Sequence, residues 1–508
     1  MSLKLGIDLG TTYSAVSHFE DGEQVETLDF EQSKMLPSVV YYETAEDPPV
    51  VGTTAVHAMM VNPELVVRHI KKHIGKTDYR TDPIHGQRYT PEEVSAEILR
   101  TLVRQAEQYL AETAKDVVIT VPAYFGDRER AATEEAGKLA GLNVLGILSE
   151  PHAASLVYAL EERGAGQRGH FLVYDLGGGT ADITLIRAPK KQDSGRLSLS
   201  IETIAKRGRR IGGTDWDQAL FDRVDDLAKR EFGADLRSDP RVEMKVLLDC
   251  ESAKRKLSDS KETSIVTDQV SHMVKITRGE FEEATKHLLL DTQILLEEVV
   301  EEGQSKGVAR DDFAVVLVGG STKMPMVSAM IKEVTGEEPL TFKNVDLLVT
   351  QGAAYYAHIV DQERPVVNTR KRGRGASEAI EVEEFVDITT RPIGIETIVD
   401  DAPFNHEIIP VGAEFGKNFA RTFGSSEDDM TEIPVVLYEG PEVSNPAEHP
   451  ECDRLLECRI TGLPTGRPRG ARVEVTLQID KSGILRGTAV DQETGNVTEI
   501  VMDRSGAK

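Results

Sequence analysis

A glycine turn directly after a buried strand occurs twice in this chain, and this repeat constrains the fold more than any other feature. Near the N-terminus an apolar strand runs into Asp8–Tyr13 (DLGTTY), and apolar residues resume behind the turn. Far downstream Phe171–Tyr174 runs into Asp175–Thr180 (DLGGGT), which is again followed by a strand, Ile183–Ile186. We predict a β-hairpin for each copy, with glycines that let backbone amides approach an anion without a Cβ in the way.

The acid at the start of each turn ends a buried strand, where its carboxylate can face a hydrated cation. Two such hairpins that face one cleft would hold a polyphosphate and its Mg²⁺ between two lobes. An ordinary hairpin turn would explain one copy but is a poor explanation of the pair. A third glycine turn, Gly319–Thr322, follows the strand Ala314–Val318 and could receive an α-phosphate or a ribose. The start of an N-capped helix would explain this third turn equally well.

Length and charge narrow the class of protein. A chain of 508 residues is too long for a single core, so we expect several compact units. No stretch approaches the about 20 apolar residues that cross a bilayer, and the chain passes at once into a strand, so we expect neither a membrane span nor a secretory leader. The net charge of −27 argues against nucleic acid as the main partner. One basic run, residues 370–374, is a solvated linker face or a docking site for an anionic partner.

The three cysteines, Cys250, Cys452 and Cys458, cannot build a disulfide framework. Cys452 and Cys458 also lack the spacing of metal ligands. We therefore expect a reducing compartment, the cytoplasm.

The pattern along the chain predicts two structured regions and a linker. Residues 1–360 alternate strands and helices; capping boxes at Thr90 and Thr277 predict helices that run to about Thr113 and towards Glu302. With the internal repeat, this alternation favours a two-lobed α/β domain. Residues 361–386 are charged and lack periodicity, which is typical of a linker. Residues 387–508 carry short alternating runs between turn signals, which predicts a separate antiparallel β-sandwich.

The three turns at these separations resemble the 70-kDa heat-shock chaperone family, of the DnaK type, within the actin and sugar-kinase ATPase superfamily. The segments between the turns are similar to the same family, and the similarity extends over nearly the whole chain. The most similar segments are Val121–Phe125, Ala136–Leu142, Ile211–Asp215, Glu251–Ser258 and Pro392–Thr397. The resemblance implies an α/β actin-like two-lobed ATPase domain followed by a small all-β sandwich domain that binds peptide.

The resemblance also implies roles for individual residues in ATP hydrolysis. Asp8 and Asp175 would hold Mg²⁺ through its waters, because Mg²⁺ keeps much of its hydration shell; K⁺ is a further ion that such a site could take. Lys71 would stabilise charge in a loose transition state, although a lysine in this context would by itself be expected at the surface. Glu150 and Asp182 match acidic positions near the attacking water. The implied catalytic residues are Lys71, Glu150, Asp175 and Thr180.

Nucleotide binding is implied for the glycine turns and for one face of a helix. Glu251, Lys254, Arg255 and Ser258 have the spacing i, i+3, i+4 and i+7, which puts them on one helical face. Arg255 could stack its planar guanidinium on adenine, but Lys323 stands where the family usually has an arginine, so adenine affinity could be lower. The implied binding residues are Gly10, Thr11, Thr12, Tyr13, Gly177, Gly178, Gly179, Gly212, Gly213, Glu251, Lys254, Arg255, Ser258, Gly319, Gly320, Ser321, Lys323 and Asp346.

Pro122 and Arg130 match the family's relay between nucleotide state and the second domain. Five residues of the sandwich match the family's pocket for an extended apolar peptide, although any buried strand carries such residues: Ile395, Ile398, Phe423, Ile433 and Val435. The family's helical lid would follow the sandwich, and we expect none here, because the chain ends at Lys508 soon after its last strand. In the segment Glu383–Asp387, two carboxylates, Glu383 and Glu384, stand where the family's linker is aliphatic, so we expect weak or differently regulated coupling.

The expected function is that of an ATP-dependent chaperone: slow hydrolysis of ATP to ADP and phosphate, coupled to the binding of unfolded or client polypeptides. The expected chain is a cytoplasmic monomer that could use a J-domain co-chaperone and a nucleotide exchange factor, with no nucleic acid or membrane partner. A nucleotide-gated scaffold with one dedicated partner is the main alternative. A small-molecule kinase and a filament-forming protein of the same superfamily are weaker alternatives.

Overall fold

The computed structural model describes residues 3–20, 24–30, 33–161, 169–187, 197–267, 272–340, 344–360, 366–370, 377–481 and 483–501. The chain divides into two compact units. The first contains residues 1–124 and 133–384, and the second contains residues 125–132 and 385–508. The basic run from Lys371 to Arg374 lies outside the described residues.

The described part of the first unit combines strands and helices in alternation. Its strands are β1 (Leu3–Asp8), β2 (Tyr13–Glu20), β3 (Gln24–Thr27), β4 (Leu36–Pro37), β5 (Val39–Tyr41), β6 (Val50–Val51), β7 (Val66–Arg68), β8 (Ala114–Val121), β9 (Asn143–Ser149), β10 (His170–Leu176), β11 (Ala181–Arg187), β12 (Leu197–Arg209), β13 (Glu262–Thr267), β14 (His272–Thr277), β15 (Phe313–Val318), β16 (Val366–Arg370) and β17 (Ser377–Val386), the last of which ends two residues inside the second unit. Its helices are α1 (Thr53–Ala58), α2 (Pro91–Leu110), α3 (Asp127–Leu139, which begins in the second unit), α4 (Glu150–Glu161), α5 (Gly213–Phe232), α6 (Pro240–Asp259), α7 (Arg278–Ala284), α8 (Lys286–Ser305), α9 (Pro325–Thr335) and α10 (Leu348–Ile359).

Two sheets repeat one arrangement, which confirms the predicted internal repeat. In the first sheet, ordered β3-β2-β1-β8-β9, β1 pairs antiparallel with β2 and parallel with β8. In the second sheet, ordered β15-β10-β11-β12-β17-β16, β10 pairs antiparallel with β11 and parallel with β15. A glycine turn joins the antiparallel pair in each sheet. The second sheet packs on α5, α6 and α8 through a continuous apolar core that includes Tyr174, Trp216 and Phe221.

Two helix predictions have different outcomes. The capping box at Thr90 is formed, and α2 begins there as predicted. The prediction of one long helix after Thr277 is wrong, because α7 ends at Ala284 and α8 begins at Lys286. Between them Thr285 is fully buried, and its hydroxyl donates to the carbonyl of Phe281 at 2.8 Å. A threonine hydroxyl that bonds back to the preceding turn competes with the helical pattern and bends helices.

The described parts of residues 361–386 differ from the expected linker without regular structure. β16 and β17 pair antiparallel, and β17 lies beside β12 in the second sheet. The edge of an existing sheet offers a row of unpaired backbone donors and acceptors, so even a weakly patterned segment gains a hydrogen-bond ladder there.

The second unit is an antiparallel β-sandwich of two four-stranded sheets, as predicted. One sheet has the order β19-β18-β21-β22 and the other the order β20-β23-β24-β25. Inward-facing residues of both sheets share one apolar core, as the alternating pattern of β23 requires. The strands are β18 (Ile393–Val399), β19 (Ala402–Ile409), β20 (Asn418–Gly424), β21 (Ile433–Glu439), β22 (Asp453–Ile460), β23 (Arg472–Ile479), β24 (Leu485–Asp491) and β25 (Val497–Val501).

Candidate functional site

The two glycine turns of the first unit lie against each other. A Cβ on Gly178 would come within 2.0 Å of the Thr12 hydroxyl, and a Cβ on Gly179 within 2.6 Å of the Thr11 methyl. No side chain fits at either position, so the backbone of the second turn can approach the threonines of the first only through glycine. The contact makes one cradle of two turns that lie far apart in the sequence.

Four carboxylates and one ammonium surround the floor of this cradle. Asp8 ends β1, Asp175 is the last residue but one of β10, Glu150 begins α4, and Asp182 lies in β11 opposite Asp175. The Lys71 ammonium lies 2.6 Å from Glu150 Oε1, and both side chains are at least nine-tenths buried. Lys71, with the buried Lys206 near Asp182 as a second cation, faces four buried acids, so the floor carries a surplus of negative charge.

This surplus changes the proton affinity of the acids. Burial, reinforced by Glu150, raises the pKa of Asp8 to about 7. Burial and the same carboxylate raise the pKa of Asp175 and of Asp182 well above the usual range. Burial alone would lower the pKa of Lys71, but the carboxylates of Glu150 and Asp8 outweigh it and the pKa is raised. The floor thus favours a bound cation or protons.

Unsatisfied polar atoms indicate what the cradle could hold. Among the described residues, the hydroxyls of Thr12 and Thr214 and the Oδ2 of Asp182 are buried without a hydrogen-bond partner. The hydroxyls could donate to phosphate oxygens, and the carboxylate oxygen could accept from water around a cation. No group of three or more His, Cys, Asp or Glu is placed to hold a metal ion directly within the described residues. The acids therefore fit Mg²⁺ that keeps its waters, not a closed metal cage.

A cavity of about 630 Å³ extends from the cradle to the α6 face. Lys254 Nζ donates to Gly213 O and pairs with Asp217 Oδ1, both at 2.8 Å, so it joins α6 to the start of α5. Ser321 donates to Gly177 O at 3.0 Å, which ties the third glycine turn to the second. The three glycine turns and the α6 face therefore border one cavity.

The planar end of Arg255 has a partner within the protein. Its guanidinium carbon lies 5.2 Å from the ring centre of Tyr13, and it also pairs with Glu251. Lys323, the departure from the family pattern, pairs with Asp346. Arg255 and Lys323 are both more than half exposed and both border the cavity, so an incoming base could contact either one.

Nearly all the predicted nucleotide-site residues line this cavity. Gly179 and Gly212 do not line it. A Cβ on Gly212 would come within 2.4 Å of the Gly179 amide nitrogen, so these two glycines pack against each other. The residues predicted and found along the lining are Asp8, Gly10, Thr11, Thr12, Tyr13, Lys71, Glu150, Asp175, Gly177, Gly178, Thr180, Gly213, Glu251, Lys254, Arg255, Ser258, Gly319, Gly320, Ser321, Lys323 and Asp346.

Several lining residues were not predicted from the sequence, and Asp217 is one of them with an ionisable side chain. Asp217 borders the cavity beside Lys254, and burial raises its pKa to about 6 although Lys254 opposes the shift. It follows Gly213 by four residues at the start of α5, so it faces the same side of the helix as that glycine. This spacing was the only sequence signal that could have identified it.

The two predicted coupling residues lie in different units. Pro122 is buried directly after β8, two residues before Tyr124, whose amide donates to Asp182 Oδ1 at 3.1 Å. Arg130, in the second unit, is 2% exposed and donates to Asp387 Oδ2 at 3.1 Å.

Three of the five predicted peptide-binding residues are part of the sandwich core. Ile395, Ile433 and Val435 are buried in it, and Phe423 is partly buried against it. Ile398 is 49% exposed near the end of β18. Ile398 and Phe423 are therefore accessible at least in part, whereas the other three residues pack in the core.

Comparisons with known proteins agree with this geometry. Residues 4–508 match the family described as Hsp70 protein. The chain is 34% identical to the "Chaperone protein DnaK" of Halobacterium salinarum, over 98% of this chain and 75% of that protein. It is also 34% identical to the "Chaperone protein DnaK" of Thermosipho africanus, over 98% of this chain and 79% of that protein. None of the helices within the described residues has the length and apolar character needed to span a bilayer.

Proposed function

The chain belongs to the Hsp70 family of ATP-dependent chaperones, and we propose that it hydrolyses ATP in the cavity of its first unit and binds extended apolar peptides with its β-sandwich. The reaction is ATP plus water to ADP and phosphate. The names of the matched relatives favour a chaperone over a scaffold with one dedicated partner.

The observation that carries this proposal is the contact between the two glycine turns above a floor of buried acids. Backbone amides of both turns and the hydroxyls of Thr11, Thr12 and Thr180 surround the space for the β- and γ-phosphates. Asp8 and Asp175 would hold Mg²⁺ through water, and the bound ion would neutralise charge on the phosphate oxygens. The same region could also take K⁺.

Lys71 is the catalytic cation of this proposal. Its ammonium is buried and paired with Glu150, so it is held in one orientation before the nucleotide arrives. In phosphoryl transfer a fixed positive charge stabilises the charge that develops on the transferred group. Glu150 would have a second role, which the resemblance to the family implies: its carboxylate would accept a hydrogen bond from the attacking water. Catalysis rests on positioning and electrostatics, and we expect a slow rate.

The peptide site is proposed at the accessible apolar residues of the sandwich. Ile398 and Phe423 could contact a peptide directly, and Ile395, Ile433 and Val435 would support them from the core. Main-chain hydrogen bonds and one apolar pocket would allow many sequences to bind. Client polypeptides are the proposed partners, with a J-domain co-chaperone and a nucleotide exchange factor as further candidates.

We expect weak coupling between nucleotide state and peptide affinity. The strand β17 includes most of the acidic segment Glu383–Asp387, and it lies between β12 and β16 in the second sheet. A strand with a partner on both sides must lose two ladders to leave the sheet, so its release would be costly. Pro122 and Arg130 remain the proposed coupling residues, and Arg130 would act through its buried pair with Asp387.

The experiment is the binding of a fluorescent extended apolar peptide, followed by anisotropy in ATP and in ADP. It includes Lys71→Ala and, as a matched control, Lys115→Ala, which changes an exposed lysine on β8. Detectable binding, with affinities in ATP and ADP that differ by less than about threefold, would support a weakly coupled chaperone. A large ratio would contradict the weak coupling, and absence of binding in both nucleotides would contradict the peptide site.

A cytoplasmic location is proposed on the basis of the cysteines. All three are free, and disulfides are rare in reducing compartments. Burial raises the pKa of the Cys250 thiol, which keeps it protonated and unreactive.

A further inference from the structure

A second lysine, directly after Lys71, bridges the two halves of the first unit. Lys72 lies in the 3₁₀ helix Ile70–His73, between β7 and α2, in the half built on the first sheet. Its Nζ is 3.2 Å from both carboxylate oxygens of Asp215, in the first turn of α5, which follows β12 of the second sheet. The two side chains are 23% and 33% exposed, so the ion pair is partly shielded from water.

The second half also holds Lys72 at two other points. The guanidinium of Arg210 donates to the backbone carbonyl of Lys72 at 3.1 Å. The stem of Lys72 passes over the second glycine turn, because its Cε lies 3.0 Å from the position of a Cβ on Gly179. Side chain, stem and backbone of one residue are therefore all in contact with the opposite half.

The partner of Lys72 is also held by a contact within its own half. Asp215 Oδ2 accepts a hydrogen bond from the Gly212 amide at 2.7 Å, as part of the cap of α5. On the other side, His69 enters the 3₁₀ helix with a φ of 56°, a left-handed conformation that is uncommon for a non-glycine residue. Such a conformation persists only where the surroundings hold it.

Lys72 does not line the cavity, whereas Lys71 does. Lys72 can therefore affect the reaction only indirectly, by positioning Lys71 or by holding the two halves closed. We propose that Lys72 is a positioning residue: its ion pair with Asp215 keeps the two halves closed over the polyphosphate and fixes the Lys71 ammonium at the reacting phosphate. This inference rests on the proposed ATPase function.

Two consequences follow from this arrangement. Release of ADP requires the halves to separate, so the Lys72–Asp215 pair must break at each turnover. A partly exposed ion pair contributes about 1 kcal/mol, which corresponds to about a fivefold change in a rate. Because salt screens exposed charges, ADP release should also become faster as ionic strength rises.

The test measures release of fluorescently labelled ADP and single-turnover hydrolysis at saturating ATP in the full-length protein. The variants are Lys72→Ala, Asp215→Asn and the double variant; asparagine keeps a side-chain oxygen for the Gly212 amide, so the helix cap survives. We expect each single variant to release ADP about fivefold faster and to hydrolyse ATP about fivefold more slowly. The double variant should be no worse than either single variant, and none of the three should respond to salt as the wild type does.

Lys115→Ala is the matched control, and the thermal midpoint of each variant without nucleotide reports on folding. Wild-type release and hydrolysis in Lys72→Ala would overturn the proposal, and so would additive effects in the double variant. A wild-type protein that binds no labelled ADP would overturn the proposed function and this inference together. Normal wild-type binding with an unchanged Lys72→Ala variant would overturn the positioning role alone.

Discussion

The nucleotide cavity of the first unit and the sandwich of the second unit both contain buried charge, and they use it differently. In the cavity, Asp8, Asp175 and Asp182 are buried close together with raised pKa values, and the positive charges of Lys71 and of Lys206 near Asp182 offset them only in part. In the sandwich, the buried Glu439 pairs with Arg391 at 3.4 Å. The cavity maintains an unbalanced charge that a ligand can neutralise, whereas the sandwich pairs its charge internally.

This difference separates function from stability. Replacement of a charged group that has no balancing charge without ligand should mainly change the rate of the reaction. Replacement of a charged group that is already paired within the protein should mainly change the free energy of unfolding. The experiments below test that separation, beginning with the largest expected effect.

Replacement of Lys71 by alanine should abolish most of the ATPase activity and leave the fold intact. Loss of one preorganised charge at a transition state lowers kcat by about 10² to 10³. ATP binding should persist, because the glycine turns and the α6 face are unchanged. Measurement of kcat beside the dissociation constant for ATP checks this, with Lys115→Ala as control. Equal loss of binding and catalysis would mean that Lys71 holds the ground state and not the transition state.

Replacement of Gly178 by alanine should separate the two glycine turns. Its Cβ would lie 2.0 Å from the Thr12 hydroxyl, so either the turn or the threonine must move. Overpacking of this kind costs about 3 kcal/mol, and we expect about a hundredfold loss of ATP affinity.

Gly177→Ala is the matched control for the thermal stability measured without nucleotide. The nearest contact to a Cβ added at Gly177 would be the Thr180 hydroxyl at 3.7 Å, an ordinary van der Waals distance. Thermal unfolding of both variants, followed by ATP titration of Gly178→Ala, completes the comparison. Wild-type affinity in Gly178→Ala would contradict the close contact between the turns.

The sequence predicted the cavity better than it predicted the sandwich pocket. Strand, acid and glycine turn are adjacent in the chain, so Asp8 and Asp175 were identifiable from local pattern alone. In the sandwich, the same alternation marks core and pocket residues, and only the fold distinguishes Ile398 from Val435.

The remaining errors and omissions have tertiary causes. Nothing local indicated that Thr285 would interrupt the helix after Thr277, because the interruption depends on burial of its hydroxyl. The strands β16 and β17 depend on the free edge of β12. The pairing of Lys72 with Asp215 joins residues 143 positions apart, which no local pattern reports.

A pH experiment tests the stability role of the sandwich charge. Burial, and to a lesser extent Glu129 and Asp453, raise the pKa of Glu439 to about 7 from 4.5, although Arg391 opposes the shift. Between these values the folded state holds a proton that the unfolded state has released, so stability is lost as pH rises from about 4.5 to 7. Glu439→Gln should therefore stabilise the protein at pH 8 by about 3 kcal/mol, with little gain at pH 4.5.

Urea unfolding of the full chain at both pH values measures this difference. Glu499→Gln, on the exposed face of β25, is the control and should show no such dependence. ATPase activity should be unchanged in Glu439→Gln, in contrast to Lys71→Ala. If Glu439→Gln is less stable than the wild type at pH 8, the wild-type carboxylate is stabilised mainly by its pair with Arg391, and the raised pKa does not govern stability.

The smallest effect concerns the base of the nucleotide. Lys323 borders the cavity where a planar cation could stack on adenine, but an ammonium cannot stack. Lys323→Arg should therefore raise ATP affinity by about fivefold, the equivalent of about 1 kcal/mol for a cation–π contact.

Inorganic triphosphate separates stacking from simple charge attraction in this experiment. Arginine and lysine carry the same charge, so the affinity for triphosphate should stay constant while the affinity for ATP rises. Lys332→Arg is the matched control, because Lys332 is 57% exposed and paired with Glu338, much as Lys323 is 54% exposed and paired with Asp346. A parallel rise for triphosphate would place the new guanidinium on the phosphates, and no change for either ligand would mean that Asp346 keeps the side chain away from the base.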